Sequence, residues 1–363
     1  MKHLFSMAVA LFMTATSFAQ VVSEAISATL QRGESTTVYY GTDALKQALD
    51  DAEEGNIITL SSGTFSTPAN FNKSVKIYGA GYEDDTLTGV ARTFLAGALT
   101  MNGLDGQHPD YFYMEGVWIN GDVNINKLET DSLIQGTKFV KCRMGTFNMR
   151  SNSDATILRQ CYICGHIDGN SSIATGFIAQ NCFVTYQVQW FDTKSAVLVD
   201  HCVLAYENYA HGPYLFKNSI INTWLDLGAT AVNCVGNHKL LSRDNQNTLV
   251  NCYTDYSKWA DYLASIFADG QGNLSYTLDG TQIPRRWEIA NPDVFIGDDS
   301  TAVGPAGGDY PWDKIPSTPR IISSKIGNKP TPLCVLSRWQ HRVVRISPLF
   351  YTMRGRRTPA LRP

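Results

Sequence analysis

Seven short segments between Phe139 and Thr254 repeat one pattern, and this repeat constrains the fold more tightly than anything else in the chain. They read FVKCRM from Phe139, LRQCYI from Leu158, AQNCFV from Ala179, VDHCVL from Val199, FKNSII from Phe216, AVNCVG from Ala231 and LVNCYT from Leu249. Equivalent positions recur every 15 to 21 residues, which suits one turn of a parallel β-helix. Taking the polar residue as position zero gives Lys141, Gln160, Asn181, His201, Asn218, Asn233 and Asn251. Position −2 is always apolar: Phe139, Leu158, Ala179, Val199, Phe216, Ala231, Leu249. Position +1 is Cys142, Cys161, Cys182, Cys202, Ser219, Cys234 and Cys252, and position +3 is mostly apolar, from Met144 to Thr254.

A strand alternates faces with period two, so positions −2 and +1 cannot both point inward along one straight strand. The phase slips by one residue at the polar position, as a sharp corner between two strands requires. Asn best tolerates the left-handed backbone expected there. Stacked coils set equivalent side chains about 4.8 Å apart, where amides can hydrogen-bond in a ladder. An antiparallel sandwich would also space strands regularly, but it has no reason to place the same corner chemistry in successive units. The expected fold class is therefore all-β, a single-stranded parallel β-helix or solenoid.

With these residues in place, the chain resembles the right-handed parallel β-helix proteins of the pectin-lyase-like superfamily, in particular secreted bacterial members of unassigned function. The resemblance covers Thr36 to Ile322. It implies the handedness of the coil and says little of activity, since this scaffold hosts lyases, hydrolases, adhesins and inert binding proteins.

Residues 1–19 hold Lys2 and His3, an apolar run from Leu4 to Phe12, then Ser17 and Ala19 before Gln20. This is the layout of a secretory signal cleaved near Ala19, and the apolar run is well short of the roughly 20 residues a spanning helix needs. The expected location is secreted: periplasmic, cell-surface or extracellular. Residues 20–35 read as a linker, and 36–259 as the solenoid. Within it, residues 42–54 read as a capping helix with Ala44, Leu45, Ala48, Leu49 and Ala52 on one face, Thr42 or Asp43 at its start and Gly55 beyond its end. Such a helix would cover the unpaired backbone groups of the first coil. Eight Cys in an exported chain would ordinarily suggest disulfides. Six of them fall at the +1 position, where parallel side chains on neighbouring rungs fit a free-thiol ladder better than bridges. Cys161 and Cys164 form a CxxC with no second pair at metal-site spacing.

Residues 260–329 lose the period and read as an irregular closing segment. The final 330–363 holds seven Arg and no acidic residue. Those seven leave 23 basic against 33 acidic residues before it, a net of −10 for a chain whose whole net charge is −3. The tail reads as a basic arm, a disordered end or the product of a shifted reading frame. An acidic body makes nucleic acid a poor partner.

Polar and aromatic side chains are dense after the Asn-Cys strands: Trp190, Asp192 and Lys194 in one coil, Tyr206, Glu207, Tyr209 and His211 in the next, then Trp224 and Asp226, then His238, Lys239, Arg243 and Asp244. Stacking puts these in one stripe, which suits a linear polysaccharide whose rings pack on Trp and Tyr. The expected function is polysaccharide binding without catalysis and without a cofactor. The alternative is a polysaccharide lyase that cleaves a uronate-containing glycan by β-elimination. It would use Lys239 or Arg243 as base, with Asp192, Asp226 and Asp244 holding calcium or substrate. The paired Asp, Gly-His-Gly and Arg-x-Lys signatures of hydrolases with this fold are missing from the coils, so hydrolysis ranks below elimination.

Overall fold

The computed structural model describes residues 26–84, 90–102, 112–126, 134–204, 209–221, 224–226, 228–236 and 247–252, with a small antiparallel hairpin of Phe295–Ile296 and Thr301–Ala302. Chain contacts divide the molecule into Met1–Lys325 and Ile326–Pro363, and every described residue belongs to the first unit.

Three parallel sheets build the repeat. The first runs through Ile57–Leu60, Lys76–Tyr78, Phe112–Glu115, Thr137–Val140, Ile157–Arg159, Ala174–Gln180, Ala196–Asp200, Leu215–Lys217, Thr230–Val232 and Thr248–Val250. The second runs from Gly63–Phe65 through Thr93–Leu95, Trp118–Ile119, Arg143–Met144, Tyr162–Ile163, Phe183–Val184, Val203–Leu204 and Ile220–Ile221 to Val235–Gly236. The third holds Leu99–Met101, Val123–Asn126, Phe147–Arg150, Ile167–Asp168 and Val188–Gln189. The chain visits the sheets in turn and each strand pairs in parallel with the equivalent strand one coil later, so the fold is a parallel β-solenoid.

The corner lies where the repeat places it. Lys141, Gln160, Asn181, His201, Asn218, Asn233 and Asn251 all adopt positive φ, between 46° and 52°. Each joins a first-sheet strand to a second-sheet strand, and the left-handed residue turns the chain while resetting the alternation. Positions −2 and +1 are consequently both inside: Phe139, Leu158, Ala179, Val199, Phe216 and Ala231 are fully buried, as are Cys142, Cys161, Cys182, Cys202, Ser219 and Cys234. Only the final rung, Leu249 and Cys252, is partly open.

Small polarisable groups suit position +1 because the site is not wholly apolar. Several thiols lie between two carbonyls, that of position −2 in the preceding coil and that two residues earlier in their own coil: Cys161 Sγ is 3.4 Å from the Phe139 oxygen, Cys182 Sγ 3.3 Å from Leu158 and Cys202 Sγ 3.3 Å from Ala179. Ser219 makes the same contact to Val199 at 3.5 Å. The seven described cysteines are free thiols, in keeping with the ladder.

Inside the coils, aromatic rings form a continuous line from Phe71 through Phe112, Phe139, Phe147, Phe177, Phe191 and Tyr214 to Phe216, with centroids 5.0 to 6.3 Å apart. Edge-to-face and tilted pairs of this kind are favourable beyond the area they bury.

The sequence pattern overlooks a coil. Met114, Gly116, Val117 and Ile119 occupy positions −2, zero, +1 and +3, with Gly116 at φ 70° and the other three buried. Glycine takes the left-handed corner as readily as Asn but leaves no Asn-Cys signature. In the coil before it, Gly79 packs so closely that an added Cβ would stand 2.5 Å from the Gly116 carbonyl oxygen.

At the N-terminal end, Ser27–Arg32 pairs antiparallel with Ile57–Leu60 and Ser35–Tyr40 pairs antiparallel with Ser27–Arg32. Much of the segment read as a linker is therefore strand, added to the edge of the first sheet. The helix α1, Ala44–Asp51, buries Ala44, Leu45, Ala48 and Leu49 against these strands. Asp43 holds its N-cap position without a side-chain capping bond. Lys73 closes its other end, donating Nζ–H bonds to the carbonyls of Leu49, Asp50 and Ala52 at 2.7 to 2.8 Å.

Replacing Asn218 by Leu puts a branched side chain at φ 46° and removes both ladder bonds, and is expected to cost about 2–3 kcal/mol, with Asn218→Gly costing less. Urea unfolding midpoints of the two variants check the order; equal midpoints would refute the corner assignment.

Candidate functional site

The corner column changes character along its length. In the later coils it is an amide ladder: Asn251 Nδ2 donates to Asn233 Oδ1 at 2.8 Å, Asn233 Nδ2 to Asn218 Oδ1 at 3.3 Å, and Asn218 Nδ2 to Asp200 Oδ1 at 3.0 Å. The ladder ends on Asp200, one residue before the corner, because His201 holds the corner itself. His201 Nδ1 lies 2.9 Å from the same carboxylate. Burial pushes the Asp200 carboxyl up, but the bonds from His201 and Asn218 outweigh it and hold it below the usual range.

Earlier in the column the corner is charged. Lys141 is 1 % exposed, with Glu115, itself 6 % exposed, close enough to act on it electrostatically. Burial pulls the Lys141 ammonium down to about 6, and the charge of Glu115 opposes the shift. Tyr113 donates its hydroxyl to Glu115 Oε2 at 2.5 Å, and the rings of Tyr78 and Tyr113 lie 5.4 Å apart. Burial, then the Glu115 charge, raises both phenols. The cluster has the composition of a catalytic site, but Lys141 and Glu115 are closed to solvent.

The third sheet carries a different surface. Its outward residues stand in register as Thr100, Asn124, Asn148, Asp168 and Gln189. Asn148 Nδ2 donates to Asn124 Oδ1 at 2.9 Å and Gln189 Nε2 to Asp168 Oδ2 at 2.8 Å. A second column holds Asn102, Asn126 and Arg150, with Asn126 Nδ2 donating to Asn102 Oδ1 at 2.6 Å. On the other side of the first row, at the start of these strands, the His166 ring stacks on Tyr186 with centroids 4.9 Å apart. Burial lowers the His166 pKa, opposed by Asp168 and Asp122, so the imidazole is neutral at neutral pH. The sequence reading passed over this face because its residues are scattered single amides, brought together only by the stacking.

Trp190 follows the last strand of this sheet, 50 % exposed, at φ 57°, and its carbonyl accepts the Ser171 N–H at 2.6 Å. Of the same predicted group, Asp192 closes a turn, accepting the Lys194 N–H on its carboxylate at 2.8 Å, and Lys194 is exposed. Tyr209–His211 and Trp224–Asp226 are paired parallel strands, with Tyr209 opposite Trp224 and His211 opposite Asp226. The backbone thus brings these two groups of the expected stripe together on adjacent coils. Tyr206, Glu207, His238, Lys239, Arg243 and Asp244 lie outside the described residues. Among the described residues no group of three or more His, Cys, Asp or Glu could hold a metal ion, and no helix is long and apolar enough to cross a membrane.

No protein-family model, curated protein or solved structure matches the chain.

Two outcomes follow from the titrating groups. The lowered Lys141 pKa means that the unfolded chain binds more protons between about pH 6 and 10.5, so this residue costs stability below that window and the cost fades as pH rises through it. Lys141→Met should flatten the rise in unfolding free energy across that range, measured by urea titration at several pH values. Burial raises the Cys142, Cys161 and Cys182 thiols, whereas the hydrogen bond from Cys234 draws the half-open Cys252 down to about 7. Iodoacetamide on the native protein at pH 7.5 should label Cys252 and leave those three intact, as read by peptide mass spectrometry.

Proposed function

We propose that this chain is a secreted right-handed β-helix protein of the pectin-lyase-like kind that binds polysaccharide along the outer face of the third sheet and does not cleave it. The observation that carries the proposal is the in-register polar row of the third sheet, where half-exposed Asn124 and Asp168 alternate with the more buried Asn148 and Gln189 that hold them by hydrogen bonds, with Trp190 exposed beside it. Amides and a carboxylate repeating at about 4.8 Å meet the hydroxyls of successive sugar rings, and an exposed indole offers a face for ring stacking. The continuation of this column through Tyr209, His211, Trp224 and Asp226 is part of the same reading. Binding without chemistry is favoured because the one strongly perturbed amine among the described residues, Lys141, is closed to solvent.

The test is affinity electrophoresis of the full chain in gels containing a neutral or a uronate-rich polysaccharide, alongside the ultraviolet absorbance of unsaturated uronates. The expected outcome is retardation without an absorbance rise, with Trp190→Ala weakening binding about tenfold, or 1.4 kcal/mol. An absorbance rise would establish elimination instead, and unretarded migration in every gel would refute binding.

A further inference from the structure

Of the four large apolar side chains that stand exposed among the described residues, three lie on one surface, the outer face of the first sheet: Val38, Tyr40 and Val250. Ile58 is buried, so Thr59 points outward, and the register carries that direction through Thr29 to Val38 at one end of the sheet. The other way it runs through Tyr78, Arg159 and Lys217 to Val250. That path crosses twelve strands. Eleven spacings of about 4.8 Å make the face about 53 Å long.

Between its ends the face sets an aliphatic track among cations. Lys138, Ile157, Ile178, Leu198 and Leu215 form a single in-register row, all half-buried. Lys76 stands in the same row two rungs before Lys138, with Tyr113 between them, and Arg159 and Lys217 belong to the next row. Of the carboxylates in these two rows, Glu115 is buried and takes the Tyr113 hydroxyl, and Asp200 is held by His201 and Asn218. Asp154, at the edge where the strands begin, takes the Thr175 hydroxyl at 3.0 Å. Burial, then the Arg159 charge, pushes the Lys138 ammonium below its usual range, with Glu115 opposing. Residues 1–329 hold 23 basic against 33 acidic residues, so a cationic face departs from the body around it.

This combination selects among partners. A polysaccharide or a nucleic acid would meet the cations but leave the aliphatic track uncovered. A second copy of the same face would bring like charges together. An anionic bilayer satisfies both features: Lys and Arg heads reach lipid phosphates while their stems lie over apolar neighbours, and Tyr40, Tyr78 and Tyr113 have the apolar body and polar tip suited to a membrane interface.

We propose that the outer face of the first sheet docks the protein peripherally on an anionic lipid surface, with Lys138 and Lys217 at the phosphates and Tyr40 and Val250 entering the headgroup layer. The solenoid then lies along the surface, and the polar row of the third sheet, on another side of the coil, stays accessible. Docking of this kind needs no membrane-spanning segment and holds whether or not the third sheet binds sugar.

The test is cosedimentation of the full chain with vesicles of phosphatidylglycerol and phosphatidylcholine in equal parts, and with vesicles of phosphatidylcholine alone. Binding to the first and not to the second is expected. Lys217→Glu should weaken it about fivefold and Lys138→Glu with Lys217→Glu about tenfold, while Tyr40→Ser with Val250→Ser, both exposed positions, should weaken it about fivefold with the β circular dichroism retained. Lys46→Glu, on the exposed side of α1, makes the same change in charge away from the face and should leave binding unchanged. No binding to anionic vesicles, or equal binding to both kinds, would overturn the proposal. Binding that ignores the face variants would assign it to the basic residues of 330–363, and a loss with Lys46→Glu as large as with Lys217→Glu would assign it to overall charge; either would also overturn it. So would dimerisation that Tyr40→Ser with Val250→Ser abolishes.

Discussion

One left-handed residue per coil is the constraint on which this structure depends. At φ near 50° the chain turns sharply and loses one step of its alternation, so the residues two before and one after the corner both face inward. Every other regularity follows from that slip. The first and second sheets meet at this corner in each coil, and each new coil finds its predecessor's backbone groups waiting in register. The residue cost is modest where Asn or Gly sits at the corner. Where Lys141, Gln160 or His201 does, neighbouring side chains must hold a backbone conformation those residues seldom adopt.

The second organising element is the thiol column. A buried site flanked by the carbonyl of the coil below favours a small group that is mostly apolar yet can donate weakly, and Cys meets both demands. Ser219 fills the same site with a stronger donor, its hydroxyl 3.5 Å from the Val199 carbonyl of the coil below and 2.6 Å from the Lys217 carbonyl of its own coil. Such a ladder needs no oxidation to be stable. Its chemistry is confined to the open end, where Cys252 loses part of its cover.

The solenoid was legible because its period is written in chemistry that recurs: Asn for the backbone and Cys for the core. The coil centred on Gly116 was not, since glycine fills the same role with no side chain to signal it. The antiparallel strands at 27–40 were also missed, because a short polar β-ribbon before a helix looks like a linker until a sheet edge is present for it to extend. Of the residues expected in the stripe, Trp190 is exposed, Tyr209 stands in backbone register with Trp224, and Asp192 accepts a backbone N–H within a turn. The third-sheet face went unseen because Asn124, Asn148, Asp168 and Gln189 are some twenty residues apart, and only stacking makes them neighbours.

By itself the sequence determined the class of fold and, in the seven coils that carry the repeat, the location of the corners, the inward face of each rung and the thiol column. These are properties of a repeat, decided by local conformational preference and by period. Tertiary structure alone decided which outward residues share a surface, that the amide ladder ends on Asp200 rather than on His201, and that Lys141 and Glu115 are hidden while Trp190 is exposed. Those outcomes depend on which coil lies above and below, and that alignment is set by loop lengths that vary from coil to coil.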